Sequence, residues 1–371
     1  MSLVLSHTTA LRLYCSPSIT SLLPYYNPHH PCPQPQQRIP LNRCSPPTSM
    51  DVQLFFELFP SLNDQPIEAM VAHSNSRRFH KQVRYNVSTH APKVLSINPW
   101  ILITSAENNF IQMADPLSIL DLITLGFEYC GTYFSQSTLS AHSGNPSSSI
   151  ASAKTAKTAK MTKTQPMQCD PSSISRNSTS TRQPRNSRAP THRAFTSTSK
   201  IDATIKQLQP HRIKGLPLAR TALKYIINDS ASPRESALAL MLTLPKRLGG
   251  YGLPKPILNY RVDIPQNKRH QFSSRYFVCD LYWPQAQIAL EYDSDAFHTG
   301  SGKIALDSAR RDALALLGIQ VLSVTNLQIK LATEMDRIAR AIGRALGVRI
   351  RTDTDYDYHK RKALLRQHLL R

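Results

Sequence analysis

Apolar and polar positions change rhythm several times along the chain. Between 51 and 134, the short runs Val94-Leu95-Ser96-Ile97 and Trp100-Ile101-Leu102-Ile103 are rich in β-branched residues and predict strands. The stretch 118–125 then places Ile119, Leu122, Ile123 and Leu125 near helical spacing, with Gly126 offering a C-terminal stop. From 201 onward the pattern is again that of a folded chain, with a helix expected over 216–227. At 229–235 the sequence is Asp-Ser-Ala-Ser-Pro-Arg-Glu. Ser232 suits an N-cap, Pro233 the first helical position, and Glu235 completes a capping box ahead of the apolar run 237–244. Pro245 ends this helix. Gly249-Gly250-Tyr251-Gly252 predicts a turn rather than a phosphate cradle, because no strand precedes it and no Lys-Ser or Lys-Thr follows.

Residues 276–293 alternate with period two on both sides of a short turn at 284–287, the signature of a β-hairpin. An even loop centred between Gln285 and Ala286 pairs 283 with 288, 281 with 290 and 280 with 291. In that register Phe277, Cys279, Leu281, Trp283, Ile288, Leu290 and Tyr292 share one apolar face, and Asp280, Tyr282, Gln287, Glu291 and Asp293 the other. A slip of one residue would bury the carboxylates and expose the apolar set, which favours this register. A helix follows over 303–317 with Gly318 as its stop, then a strand over 319–324 and a helix over 333–346. The predicted order is helix, hairpin, helix, strand, helix.

Other stretches carry little periodic signal. The 27 prolines outnumber the 12 glycines and crowd towards the first fifty residues, as in Pro31-Cys32-Pro33-Gln34-Pro35, so 1–50 is expected to be disordered. Residues 135–200 are rich in Ser, Thr, Lys and Arg, with a near-repeat at 153–160, and predict a long disordered basic linker. Residues 349–371 predict a basic tail, a solvated amphipathic helix packing Leu364, Leu365 and Leu369 loosely or steadying DNA. The resulting division is 1–50, a small α/β module at 51–134, a linker at 135–200, a folded domain at 201–348 and a tail at 349–371.

Charge narrows the partners. Lys and Arg number 45 against 24 Asp and Glu, a formal net charge of +21, which makes nucleic acid the expected partner. Charge alone leaves a merely soluble basic protein or one touching anionic membranes open. Aromatic residues are only 7% of the chain, too few to suggest a stacking platform for single-stranded RNA. The six cysteines are far apart, without a Cys-x-x-Cys pair, and fit reduced thiols. The N-terminal stretch lacks the features of a signal peptide, and no stretch approaches a membrane span, so the expected location is cytoplasmic.

The hairpin carries the chemistry. Residues opposed across it hold their β-carbons about 4.5–5.5 Å apart, so Asp280 and Glu291 would repel unless a positive charge lay between them. A divalent cation fits, and an all-oxygen site suits Mg²⁺ or Mn²⁺, which can also bind a substrate phosphate and support phosphodiester hydrolysis. The structural alternative is a solvent-facing acidic stripe on an amphipathic hairpin. His298, past the strand end, is a candidate for orienting or deprotonating water. Asp307 can pair with Arg310 or Arg311 along their helix; alternatively Arg310, Arg311 and Lys303 reach DNA phosphates.

These residues together resemble the PD-(D/E)XK nuclease superfamily, in its branch related to the very-short-patch-repair (Vsr) endonucleases. The resemblance covers about 115 residues: Ser232-Pro-Arg-Glu235 opening a helix, Asp280, Glu291-Tyr-Asp293, His298, Asp307 with Arg310 and Arg311, and Gly318-Ile-Gln-Val321. It implies an α/β (α+β) restriction-endonuclease-like domain, a central mixed sheet flanked by helices, with Mg²⁺ at the hairpin. By resemblance Asp280 and Glu291 are the metal ligands, Glu235 an auxiliary acid and His298 a water-positioning group, with Asp293 standing where the Glu-x-Lys form has its lysine, as in the Vsr-like branch. Residues 103–131, from Ile103-Thr-Ser-Ala-Glu-Asn-Asn to Gly126-Phe-Glu-Tyr-Cys-Gly131, are similar to AbiEi-type antitoxins of abortive-infection systems. Two functions follow as expectations: a metal-dependent DNA endonuclease acting in repair or defence against foreign DNA, or a non-catalytic DNA-binding regulator of antitoxin type built on a degenerate nuclease fold.

Overall fold

Leu3, Val4 and Leu5 form a strand, β1 (Leu3–Leu5), with exposures of 6%, 1% and 0%. A computed structural model describes residues 3–26, 37–44, 46–134, 192–272, 274–293, 301–351 and 356–371, and for 301–307 it describes the helix backbone alone. The expected disorder of 1–50 is therefore corrected, although Pro31 to Pro35 lie outside the described residues. Proline is concentrated after Leu23, whereas the first residues are an apolar run buried on both faces. Leu3 and Leu5 join the main core, and Val4 packs on the other side with Met70, Val94 and Leu102. A strand covered on both faces has no alternation to betray it.

The remaining strands of this sheet are β2 (Gln37–Arg38), β3 (Ile67–Val71), β4 (Val83–Val87), β5 (Lys93–Ser96) and β6 (Ile101–Thr104), in the order β2-β5-β6-β1-β3-β4. β1 runs parallel to β6 and antiparallel to β3. The module thus begins well before Asp51. Its helices are α1 (His7–Tyr14), α2 (Ile19–Leu22), α3 (Ser49–Leu58), α4 (Ala106–Met113) and α5 (Ile119–Cys130), joined by α6 (Thr198–Leu208) and α7 (Leu216–Leu223). Helix α6 packs on α4 and α7, and α7 on α5, so the boundary expected at 201 is also corrected. Buried His192, Phe195 and Thr196 already belong to this unit. Residues 135–191 of the expected linker lie outside the described residues.

Gly126 is not a helix stop. It lies inside α5, where a β-carbon would overlap the Ile226 side chain and crowd Phe110. The residue is there for close approach, and the helix continues to Cys130.

The second sheet contains β7 (Ile257–Asp263), β8 (Tyr276–Trp283), β9 (Ile288–Asp293) and β10 (Gln320–Thr325), in the order β10-β9-β8-β7. β7, β8 and β9 form an antiparallel meander, and β10 lies parallel to β9. The hairpin register is Leu281 with Leu290, Tyr282 with Ala289 and Trp283 with Ile288, as the alternation predicts. Around the sheet lie α8 (Pro233–Thr243), α9 (Ser301–Leu316), α10 (Asn326–Lys330), α11 (Ala332–Ala345) and α12 (Tyr356–Leu369). Gly318, at φ +82°, ends α9's turn as expected, and Gly249 and Gly252 take left-handed φ values in the turn after α8. Both sheets are mixed and flanked by helices.

The expected basic tail, 349–371, contains a docked helix. Tyr358 and Leu365 of α12 are 2% and 1% exposed; the Tyr358 hydroxyl donates to the Gly250 carbonyl at 2.9 Å. Lys362 donates to Asp336 at 2.7 Å, and Tyr251 donates to the same carboxylate oxygen at 2.6 Å. A buried lysine with a matched acid fixes the helix's rotation, which is why basic composition alone misled. Among the described residues, no helix is long and apolar enough to cross a membrane.

Gly126→Val should lower unfolding free energy by about 1–3 kcal/mol through overpacking against Ile226. Urea denaturation checks this; an unchanged midpoint would mean that the α5–α7 contact gives way without strain.

Candidate functional site

The two faces of the hairpin differ from the simple alternation. Leu281, Trp283, Ile288 and Leu290 enter the main core, but Cys279 packs with Tyr282, Ala289, Leu314 and Ile319, and Phe277 lies against that second group. The alternation therefore breaks between 279 and 281, at Asp280. Opposite Asp280, between the pairs Leu258–Leu281 and Tyr260–Cys279, stands Asn259 with φ +48°. Asparagine tolerates the left-handed region better than most residues, and a strand disturbed this way re-aims the side chain facing it. The face predicted to be polar is largely withdrawn from solvent: Tyr282 is 4% exposed and Asp280, Glu291 and Asp293 are half-buried, while Gln287 at the turn is exposed. A solvent-facing acidic stripe is thus replaced by carboxylates under a helix layer.

Helix α8 brings in the second acid. Ser232 accepts from the Glu235 amide at 3.2 Å and donates to Glu235 Oε1 at 2.9 Å. Glu235 Oε2 accepts from the Ala231 amide at 2.9 Å and from Asn259 Nδ2 at 2.7 Å. The predicted cap is thus present, but the backbone amide that Glu235 accepts from is that of Ala231 and not that of Ser232. Burial, and then the charge of Asp280, push the Glu235 carboxyl up to about 7 despite these donors. Burial also raises Asp280, opposed by the Tyr292 amide, which donates to its Oδ2 at 2.8 Å, and by Arg310. Both carboxyls are therefore poorly solvated, and the charge of Asp280 makes Glu235 harder to ionise.

Glu291 is held differently. Arg310 of α9 donates to both of its carboxylate oxygens, at 2.7 and 2.9 Å, and also to the Val278 carbonyl. The pair is mostly buried, with side-chain exposures of 23% for Arg310 and 14% for Glu291. A bidentate guanidinium is the strongest form such a pair takes. Positive charge beside both carboxylates is supplied here by Arg310, a residue expected to pair with Asp307 or to reach DNA. The Cys279 thiol reports the convergence: burial and then Glu291 and Asp280 push it up to about 12, with Arg310 opposing.

Asp293 ends β9 and pairs in register with Thr325 of β10. Arg311 is exposed on α9. His298 lies outside the described residues, as do the side chains of Lys303 and Asp307. Asn259 was not singled out from sequence; an asparagine inside a strand pattern was its one signal. Among the described residues no set of three or more His, Cys, Asp or Glu side chains is arranged to hold a metal ion. Mg²⁺ is commonly held by one or two carboxylates with water and substrate phosphate completing its shell. The chemistry of Asp280 and Glu291 fits that demand once Arg310 gives up its hold on Glu291.

The raised Glu235 carboxyl makes folding stability depend on pH. Its proton is bound more tightly in the folded state than the usual 4.5 allows, so the stability it contributes is fully present below that value. That contribution is lost as pH rises through about 7. Glu235→Gln keeps an acceptor for Ala231 and Asn259 and should flatten the decline in stability across this window, as followed by denaturation at several pH values. An unchanged slope would locate the titration elsewhere.

No family model and no solved structure matches the chain. It is similar to two curated proteins of Mycobacterium tuberculosis, from strains CDC 1551 / Oshkosh and ATCC 25618 / H37Rv, each named only as an uncharacterized protein. Each is 26% identical over 148 residues, which is 40% of this chain and 48% of the relative. The chain thus spans about half the length of the curated relatives it matches.

Proposed function

We propose that this protein is a Mg²⁺- or Mn²⁺-dependent DNA endonuclease of the Vsr-like PD-(D/E)XK kind. The observation that carries the reading is the meeting of Glu235, from α8, with Asp280, from β8, in a buried acidic pair beside Glu291. These acids come from three separate elements, and desolvated carboxylates gathered this way favour a cation. When bound, the metal ion would supply positive charge against the scissile phosphate and make water a better nucleophile. Asp280 and Glu291 would hold it. Glu235, titrating near 7, can exchange a proton at neutral pH, and Ser232, Ala231 and Asn259 fix its carboxylate in place. Released from Glu291, Arg310 can turn to the substrate phosphate, and the +21 net charge draws DNA to the surface. Repair or defence against foreign DNA, in the cytoplasm, is the setting this activity suits.

A second reading is favoured by the Arg310–Glu291 pair itself. A site neutralised from within needs no metal, and Asp293 occupies the place of the catalytic lysine in the Glu-x-Lys form. On that reading the fold is a scaffold for a non-catalytic DNA-binding regulator of the antitoxin type.

Plasmid nicking separates the two. Wild type should nick in Mg²⁺, and Asp280→Ala and Glu291→Ala should lose about 100-fold or more of the rate while gel-shift affinity for the same DNA stays close to wild type. If all three bind DNA alike and none nicks, the regulator reading replaces the nuclease.

A further inference from the structure

A second site lies away from the acidic pair. A cavity of about 270 Å³ opens between the β2–β5 edge of the first sheet and helix α6. Its lining takes Arg38 from β2, His90 from the β4–β5 loop, Lys93 from β5, Thr204 from α6 and His211 from the turn after it. Among the described residues no Asp or Glu lines it. The segments that supply these groups are far apart in sequence, and the fold converges them.

The lining brings together a guanidinium, an ammonium and two imidazoles. The His90 and His211 rings stack with centroids 5.8 Å apart and planes 22° from parallel, and the Ser88 hydroxyl lies 3.0 Å from His90 Nδ1. Two imidazoles held together beside a guanidinium and an ammonium repel one another as they gain protons, unless negative charge enters. Thr204 is 2% exposed, and its hydroxyl is buried without a hydrogen-bond partner. An unsatisfied hydroxyl in a cavity wall is costly unless a ligand or water completes it. The cavity also has apolar wall from Leu208 and Ala91, which inorganic phosphate alone would leave uncovered.

We propose that this cavity binds a phosphate monoester carried on a small organic group, the phosphate meeting Arg38 and Lys93 and the organic part lying along the apolar wall. The site is independent of the acidic pair and does not require the protein to be a nuclease.

Calorimetric titration of the full chain with inorganic phosphate and with a nucleoside 5′-monophosphate, at matched ionic strength, tests it. Saturable one-to-one binding is expected, weakened roughly tenfold or more in Arg38→Gln and in Lys93→Gln, with melting temperature and DNA gel shift unchanged. Tighter binding of the monophosphate than of phosphate identifies a nucleotide-like ligand; equal binding shows that the phosphate alone is read, and the organic part of the proposal falls. If Lys93→Gln perturbs folding, exposed Arg38 and His211→Gln carry the same comparison. Absence of saturable binding by both probes, or undiminished binding in Arg38→Gln and His211→Gln, overturns the proposal.

Discussion

Withdrawing carboxylates from water is expensive, and the second sheet does so with Glu235, Asp280 and Glu291 in one neighbourhood. The Arg310 guanidinium stabilises Glu291 directly and Asp280 through space. Glu235 is stabilised by hydrogen bonds from Ser232, Ala231 and Asn259, and these leave its proton affinity raised. The arrangement depends on both faces of the sheet being covered: α9 lies over Tyr282 and Ala289, while Leu281 and Trp283 are sunk in the main core. Without that cover the acids would be an ordinary wet stripe, with little reason to attract a metal ion or to need an arginine.

The hairpin was readable because its alternation is long and its turn short, so Leu281–Leu290 and Trp283–Ile288 follow from period two. The start of α8 was readable because Ser232, Pro233 and Glu235 act within a single turn. What depended on distant parts of the chain was not. A three-residue strand such as Leu3–Leu5 gives no period, and its place beside β6 is set by residues nearly a hundred positions away. Gly126 reads as punctuation until Ile226 is seen against it. The meeting of Glu235 with Asp280 was implied by family resemblance alone, since nothing in their spacing places helix α8 over β8. Arg310 carried two local readings, and the ion pair it makes across to Glu291 of β9 was in neither of them, because their separation of 19 positions gives no local signal.

The two halves are not independent beads. One apolar cluster runs from Leu5 and Tyr14 through Ile226 and Leu238 to Trp283 and Leu365, and His368 of α12 approaches Asp121 of α5 at 3.5 Å. The basic-lined cavity on the first sheet and the acidic site on the second are therefore attached to a common core. A ligand at one can shift the other only if it favours one of two packings of that core.

The central claim is that the acidic neighbourhood takes a divalent cation when one is offered. Anomalous diffraction from crystals equilibrated with Mn²⁺ addresses it directly. The account predicts a peak between the Asp280 and Glu291 carboxylates, with Arg310 withdrawn from Glu291. A difference map without such a peak, and with Arg310 still bidentate on Glu291, would contradict it.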